Sequence, residues 1–323
     1  MGENDILKRE FEGMNVLVTG GAGFIGSHIT DRLIELKAHV RVIDDFSEGK
    51  EENLQHLMDK IELIRGDIRD LNLVKRITKD VKFVFHQAAR RSVPKSVDDP
   101  LTYNDVNVTG TLNLLLASYE NKVKRVVFAS SSSVYGDTDE LPQKETFLPN
   151  LISPYAATKL AGEYYCRVFN ETYGLKTVSL RYFNVFGPRQ SLESQYAVVI
   201  PKFIDCLLND EPPPIHGDGL QSRDFTYVSN VVEANLLSAI KEQAAGEVFN
   251  IAVGKTYNLL QLVENLNKIT GKNINPIFTP PRRGDVRYTW ADISKAKRLL
   301  SFSPEVDFVE GLKRAVEWYK NRS

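Results

Sequence analysis

The chain has 323 residues, 42% hydrophobic and 26% charged, which suits one large domain or two coupled ones and argues against a disordered chain. A formal net charge of −1 excludes a global field for steering onto nucleic acid or a membrane surface, so an anionic partner has to be held by local groups. Two cysteines, Cys166 and Cys206, make no disulfide framework and stand in no Cys/His cluster with metal spacing; both are read as core thiols, and no metal is expected. The start "MGENDILKREFEG" has no apolar stretch of signal type and no run reaches bilayer length, so a cytoplasmic protein is expected.

The first predicted strand, residues 16–19, runs into "TGGAGFIGSH" and a helix over 24–36. Gly20, Gly23 and Gly26 are spaced so that the chain can turn tightly, approach a pyrophosphate and pack its helix close to the sheet, with the helix N-terminus facing the phosphates. The next strand, 40–43, ends in "VIDDF", where Asp44 falls at the distance of a ribose-binding acid. A carboxylate there accepts from both ribose hydroxyls and repels a 2′-phosphate, which favours NAD over NADP. A third strand, 61–64, ends in "GDI", placing Asp67 where it could meet the adenine amine.

Further strands at 83–86, 126–130 and 177–180 alternate with helical patterns such as 104–119. Strand, helix and strand at this rhythm predict a doubly wound α/β fold with a parallel sheet covered on both faces. The fifth strand delivers "SSSSVYG", and "SPYAATKLAGE" follows, with Tyr155 and Lys159 four apart on one helical face behind Pro154. A lysine ammonium near a phenol stabilises the phenolate and makes the tyrosine a usable acid/base. After Arg181 the rhythm breaks at Gly187-Pro188, Pro212-Pro213-Pro214 and Pro280-Pro281. We therefore expect a dinucleotide-binding domain over 1–185, rejoined by 222–253, and a smaller mixed α/β lobe made mainly of 186–221 and 254–323.

Together "TGGAGFIGSH", "HQAA", "SSSSVYG", "SPYAATK", "LRYFNVFGPRQ", "GDGLQSRDFTYV" and "NIAVG" resemble the extended short-chain dehydrogenase/reductase family, specifically its NAD-dependent nucleotide-sugar epimerases. The resemblance implies a modified Rossmann domain holding NAD, a lobe holding a UDP-sugar, and a homodimer formed through helices over 104–119 and 155–173. It assigns NAD to Gly20, Gly23, Phe24, Ile25 and Gly26, then to Asp44, Asp45, Phe46, Ser47 and Gly49. Asp67, Ile68, Gln87, Ala88, Ala89, Asn107 and Tyr182 complete that site together with Tyr155 and Lys159.

By the same resemblance Ser131 assists the catalytic Tyr155, which Lys159 holds as phenolate. Ser132 and Ser133 stand where the family's 4,6-dehydratases carry Asp-Glu, and Ser133 where its UDP-glucuronate decarboxylases carry a glutamate. Serines donate and accept hydrogen bonds without driving elimination, so transient oxidation at the sugar's C4 and return of the hydride is the chemistry implied. Asn184 is implied on the sugar-nucleotide phosphates, Arg223 and Arg282 on the diphosphate, and Asp285 on the uridine ribose. Ser92, Gln190, Val199 and Ile215 are further substrate residues.

Thr289 matches the place where hexose-restricted 4-epimerases carry a bulky tyrosine, and its small side chain favours UDP-GlcNAc and UDP-GalNAc. The segments "SVPKS" and "YAVVIPKF" point to the bacterial UDP-N-acetylglucosamine 4-epimerases. UDP-glucose and UDP-galactose remain alternatives, as do UDP-glucuronate and UDP-N-acetylglucuronate, for which Arg90, Arg91 and Lys95 could meet a C6 carboxylate. A sensor that binds NAD without turnover is the non-enzyme alternative, against which Ser131, Tyr155 and Lys159 stand together. A net dehydrogenase would call for a cysteine nucleophile, and neither cysteine lies in such a motif.

Overall fold

The computed structural model describes residues 2–191, 199–281 and 286–321. Helix α1 (Glu3–Phe11) precedes the expected alternation of β1 (Asn15–Thr19), α2 (Phe24–Glu35), β2 (His39–Asp44), β3 (Ile61–Arg65), α3 (Leu71–Ile77) and β4 (Phe83–His86). Next come α4 (Val93–Asp98), α5 (Pro100–Asn104), α6 (Gly110–Glu120), β5 (Arg125–Ser131), α7 (Pro154–Thr172) and β6 (Thr177–Tyr182). The helix expected over 104–119 is interrupted by a π-type widening at Asp105–Thr109 that separates α5 from α6.

The remaining elements are shorter: β7 (Val185–Phe186), α8 (Val199–Leu208), β8 (Pro214–His216), β9 (Ser222–Arg223), β10 (Thr226–Tyr227), α9 (Val228–Ile240), β11 (Val248–Ile251), β12 (Tyr257–Asn258), α10 (Leu259–Thr270), β13 (Ile277–Thr279), β14 (Tyr288–Thr289), α11 (Ser294–Leu300) and α12 (Phe308–Lys320).

Seven strands form one sheet in the order β11-β6-β5-β4-β1-β2-β3, and every adjacent pair is parallel. Six residues of β5 are buried in succession, as a strand covered on both faces requires. One face buries Ile29 and Leu33 of α2 with Leu236 and Leu237 of α9; the other buries Val74 of α3, Leu114 of α6 and Cys166 of α7. The strand order reverses between β1 and β4, so a crevice opens beyond their carboxyl ends, where open α/β sheets take ligands. A separate core gathers Phe186, Phe203, Ile215, Leu262, Phe308 and Leu312 from β7, α8, β8, α10 and α12.

Helix α1 was not foreseen. Its Leu7 and Phe11 are fully buried, and the Phe11 ring packs 5.3 Å from that of Phe83, closing the sheet face at the start of β4. Its few apolar residues are too sparse to mark a helix without the sheet that receives them.

Candidate functional site

A cavity of about 570 Å³ lies over the crevice. Its first wall is the turn between β1 and α2, where Gly20 has φ +66° and a Cβ would lie 2.7 Å from the backbone of Ala88. A Cβ on Gly26 would overlap the Gly20 carbonyl, so helix and turn can be this close only because both residues are glycine. Gly23, Phe24 and Ile25 complete this wall, and the N-terminus of α2 opens onto it.

Asp44 ends β2 as expected. Its Oδ2 accepts from Ala22 N at 2.9 Å and its Oδ1 from Phe46 N at 2.8 Å, so the turn and the carboxylate fix each other. Burial raises its pKa, which the two backbone donors oppose. Asp45, Ser47, Gly49, Asp67, Ile68, Gln87, Ala88, Ala89 and Tyr182 line the same cavity. Asp67 is already engaged: Arg69 gives it Nε at 2.9 Å and Nη2 at 2.6 Å, which holds its carboxyl below the usual range. An adenine amine would have to share that carboxylate.

Phe46 and Asn107 do not reach the cavity surface. The Phe46 ring lies under the Arg65 guanidinium, 4.3 Å away, while buried Asn107 bonds both backbone groups of Arg90 and the Thr158 hydroxyl, bracing the loop after β4. That loop starts at His86, whose Nδ1 accepts from Thr19 Oγ1 (2.7 Å) and whose Nε2 donates to Thr111 Oγ1 (2.9 Å); burial pushes its pKa down to about 3, so it stays neutral.

The end of β5 and the single turn of 3-10 helix after it bring Ser131, Ser132 and Ser133 to the cavity, and α7 brings Tyr155 and Lys159 to it. Ser153 caps α7 by accepting from Ala156 N at 3.2 Å, Pro154 occupies its first turn, and Tyr155 N donates to Ser96 Oγ at 3.1 Å. Lys159 is buried with Nζ donating to the Ala129 carbonyl at 2.8 Å and lying 5.9 Å from the centre of the Tyr155 ring; burial lowers its pKa to about 8.

The phenol departs from expectation. Burial raises the pKa of Tyr155, the hydrogen bond from Ser131 and the charge of Arg91 pull it down, and Lys159 spends its shortest contact on the sheet. Ser133 Oγ is buried without a hydrogen-bond partner among the described residues, as a hydroxyl kept for a ligand would be.

Asn184, Gln190 and Thr289 line the same cavity. Four other expected substrate residues lie outside it. Ser92 caps α4; Val199 begins α8; Ile215 is wholly buried in the second core, because β8 turns it inward; and Arg223 gives Nη1 to the carbonyls of Ser222 (2.9 Å) and Arg287 (3.1 Å). Arg282 and Asp285 lie outside the described residues. Conversely, Glu48, Val93, Ile152, Val185 and Val286 line the cavity without having been singled out. Glu48 faces both arginines of the loop, Arg91 Nε at 3.1 Å and Arg90 Nη1 at 3.9 Å, so the cations that could meet a carboxylate already have one; Lys95 does not reach the cavity. Among the described residues no group of three metal-ligating side chains occurs.

The glycine cradle, the helix N-terminus and a buried acid at the end of β2 fit a dinucleotide without a 2′-phosphate. Residues 16–252 match the model of the NAD dependent epimerase/dehydratase family. A UDP-N-acetylglucosamine 4-epimerase from Methanobrevibacter ruminantium M1, solved in complex with UDP-N-acetylmuramic acid, superposes with a TM-score of 0.93 at 44% identity, over 97% of this chain and 100% of that one. The UDP-glucuronic acid 4-epimerase of Bacillus cereus, solved with UDP-glucuronic acid and NAD, superposes with a TM-score of 0.89 at 35% identity, over 96% and 100%. The UDP-glucose 4-epimerase of Mycolicibacterium smegmatis is 38% identical over 314 residues, 96% of this chain and 100% of its own. The chain thus belongs to the NAD dependent epimerase/dehydratase family, and the dinucleotide its cradle is built for is NAD.

Proposed function

We propose that this isomerase is a 4-epimerase of UDP-sugars whose preferred pair is UDP-GlcNAc and UDP-GalNAc. The observation that carries the proposal is that Ser131, Tyr155, Lys159 and the small Thr289 line one cavity. The Gly20–Gly26 turn and Asp44 would hold NAD, which would supply a reversible hydride acceptor beside the sugar.

The protein's part is to move one proton and orient the sugar. Tyr155 takes the proton of the 4-hydroxyl and gives it back, with Ser131 bridging phenol and sugar oxygen. At pH 7 a lysine with a pKa of about 8 is still mostly protonated, so Lys159 puts a buried cation beside the ring and offsets part of the burial that opposes phenolate. Ser132 and Ser133 hold hydroxyls without supplying an acid, so the leaving group needed for elimination of water finds no proton donor there. Asn184, with Arg223, Arg282 and Asp285, is the set we assign to the UDP moiety.

The uronate reading draws on Arg90 and Arg91 in the cavity wall, and it is weakened by Glu48, which neutralises both. The exposed faces of α6 and α7 carry Tyr119, Tyr164, Val168 and Tyr173, which supports a homodimer formed through these helices. The unpaired buried thiols of Cys166 and Cys206 are in keeping with a reducing, cytoplasmic setting.

Proton NMR of UDP-GlcNAc, UDP-glucose, UDP-glucuronate and UDP-N-acetylglucuronate, each mixed with the purified protein and no added cofactor, tests the assignment. The C4 epimer is expected to grow fastest from UDP-GlcNAc. Turnover confined to the uronates would keep the reaction and overturn the substrate, and, in a parallel reaction with NAD added in excess, NADH accumulating in step with substrate loss would overturn the reaction.

A further inference from the structure

Thr289 does more than leave space. Its Oγ1 accepts a hydrogen bond from Asn184 Nδ2 at 2.8 Å, joining the two residues across the line where the large sheet meets the second lobe. Asn184 lies between β6 and β7 at φ +36°, in the left-handed region where a residue with a side chain stays only when its surroundings hold it. The second bond of the same Nδ2, to the Asp224 carbonyl, is long at 3.4 Å. A carbonyl can only accept, so this contact also fixes which end of the carboxamide is the nitrogen.

Thr289 itself has little freedom. It pairs with Arg223 in the β14–β9 ladder, and its carbonyl accepts from Asp224 N at 2.9 Å. Asp224 is fully buried, and its carboxylate gathers Val253 N, Gly254 N and Ala291 N at 3.0, 3.0 and 3.3 Å, tying β14 to the end of β11. The hydroxyl is thus a fixed acceptor pointed at a side chain that could otherwise rotate, since the terminal torsion of an asparagine is broad and two-fold. Once one amide hydrogen is used on Thr289, the long bond to Asp224 leaves the other available to a stronger acceptor such as a phosphate oxygen.

We propose that the Thr289 hydroxyl is a positioning group for Asn184, so that this one position sets diphosphate affinity as well as room at the sugar's C2. The inference rests on the reading of Asn184 and Thr289 as substrate residues. It separates from a pure size effect because valine has nearly the shape of threonine and lacks the hydroxyl.

The test compares Thr289→Val, Thr289→Ser and Asn184→Ala with the wild-type protein, reading the Kd of UDP by calorimetry and kcat and KM for UDP-GlcNAc and UDP-glucose. One net hydrogen bond is worth about a three- to tenfold change. Thr289→Val is expected to weaken UDP by that factor and to raise KM for both sugars alike, with kcat within about twofold. Thr289→Ser should restore wild-type affinity, and Asn184→Ala combined with Thr289→Val should lose no more than Asn184→Ala alone. Wild-type UDP affinity in Thr289→Val, or a change confined to UDP-GlcNAc, would overturn the inference. Absence of wild-type turnover would instead overturn the proposed activity, and the UDP affinities would still decide the role of Thr289; a wild-type protein that does not bind UDP would overturn both.

Discussion

Tyr155, Lys159 and Glu163 are spaced four apart and share one face of α7. The third does no chemistry. Glu163 receives Arg181 Nε on Oε1 at 2.9 Å and Nη2 on Oε2 at 2.8 Å, both side chains are almost fully buried, and Ser130 Oγ donates to Oε1 at 2.5 Å. The pair clamps α7 to β5 and β6 beside the residues it delivers. Replacing Glu163 by Gln keeps the shape and leaves the Arg181 guanidinium as an unbalanced charge over the Tyr135 ring, with Nη1 already unbonded among the described residues. Removing one partner of such a pair costs about 3–5 kcal/mol, and at about 2 °C per kcal/mol for a large chain the unfolding midpoint should fall by roughly 6–10 °C. Glu163→Leu with Arg181→Met, which removes both charges, should recover most of that loss. Thermal unfolding followed by circular dichroism at fixed protein concentration measures both. A Glu163→Gln midpoint within about 2 °C of wild type, or a double variant no better than the sum of the singles, would refute the clamp.

Tyr155→Phe should lower turnover at least about a hundredfold while the calorimetric Kd of UDP stays unchanged; turnover within tenfold of wild type would remove Tyr155 from the acid/base role. Glu48→Gln should release Arg91 and Arg90 and raise kcat/KM for UDP-glucuronate relative to UDP-GlcNAc by about fivefold, the worth of roughly 1 kcal/mol for half-exposed pairs; an unchanged ratio would show that Glu48 does not screen them. Asp224, buried, has its pKa pushed up from 3.8 to about 7. The folded state therefore holds a proton that the unfolded chain releases, and its stabilising contribution is full below pH 3.8 and lost as pH rises through about 7. The unfolding midpoint should drop between those limits more steeply in wild type than in Asp224→Asn, and equal slopes would place the pH dependence elsewhere.

Long parallel strands and the turn chemistry between them were legible because their signals are local. An apolar run of five or six residues, a glycine at a fixed offset and an acid at the end of the next strand need no knowledge of the rest of the chain. Tyr155 and Lys159 were legible for the same reason, as a four-residue spacing on one helix. What escaped depends on distant partners. The pairing of Glu48 with Arg91 joins residues 43 apart, and Ile215 sits on a three-residue strand too short to show which side faces the core. Helix α1 belongs here as well, since only the face of the sheet it covers explains why Leu7 and Phe11 are apolar.

The four serines at the end of β5 and the start of the turn after it can be separated by what each one touches. Ser130 belongs to the clamp, giving its proton to Glu163. Ser131 turns to the phenol of Tyr155 and accepts from Ser133 N at 3.2 Å, which winds the chain into the short turn that follows. Ser132 and Ser133 line the cavity, and the Ser133 hydroxyl is left for whatever enters. A carboxylate at either of these last two positions would be a buried acid next to Tyr155, adding to the burial that already raises the phenol's pKa and so opposing the phenolate that proton transfer needs. Hydroxyls avoid that conflict. The choice of serine thus bears twice on the reaction, by withholding an acid from the sugar and by sparing the base a neighbouring negative charge. Glu48, an acid that also lines the cavity, fits the same logic, since it comes paired with two arginines rather than alone.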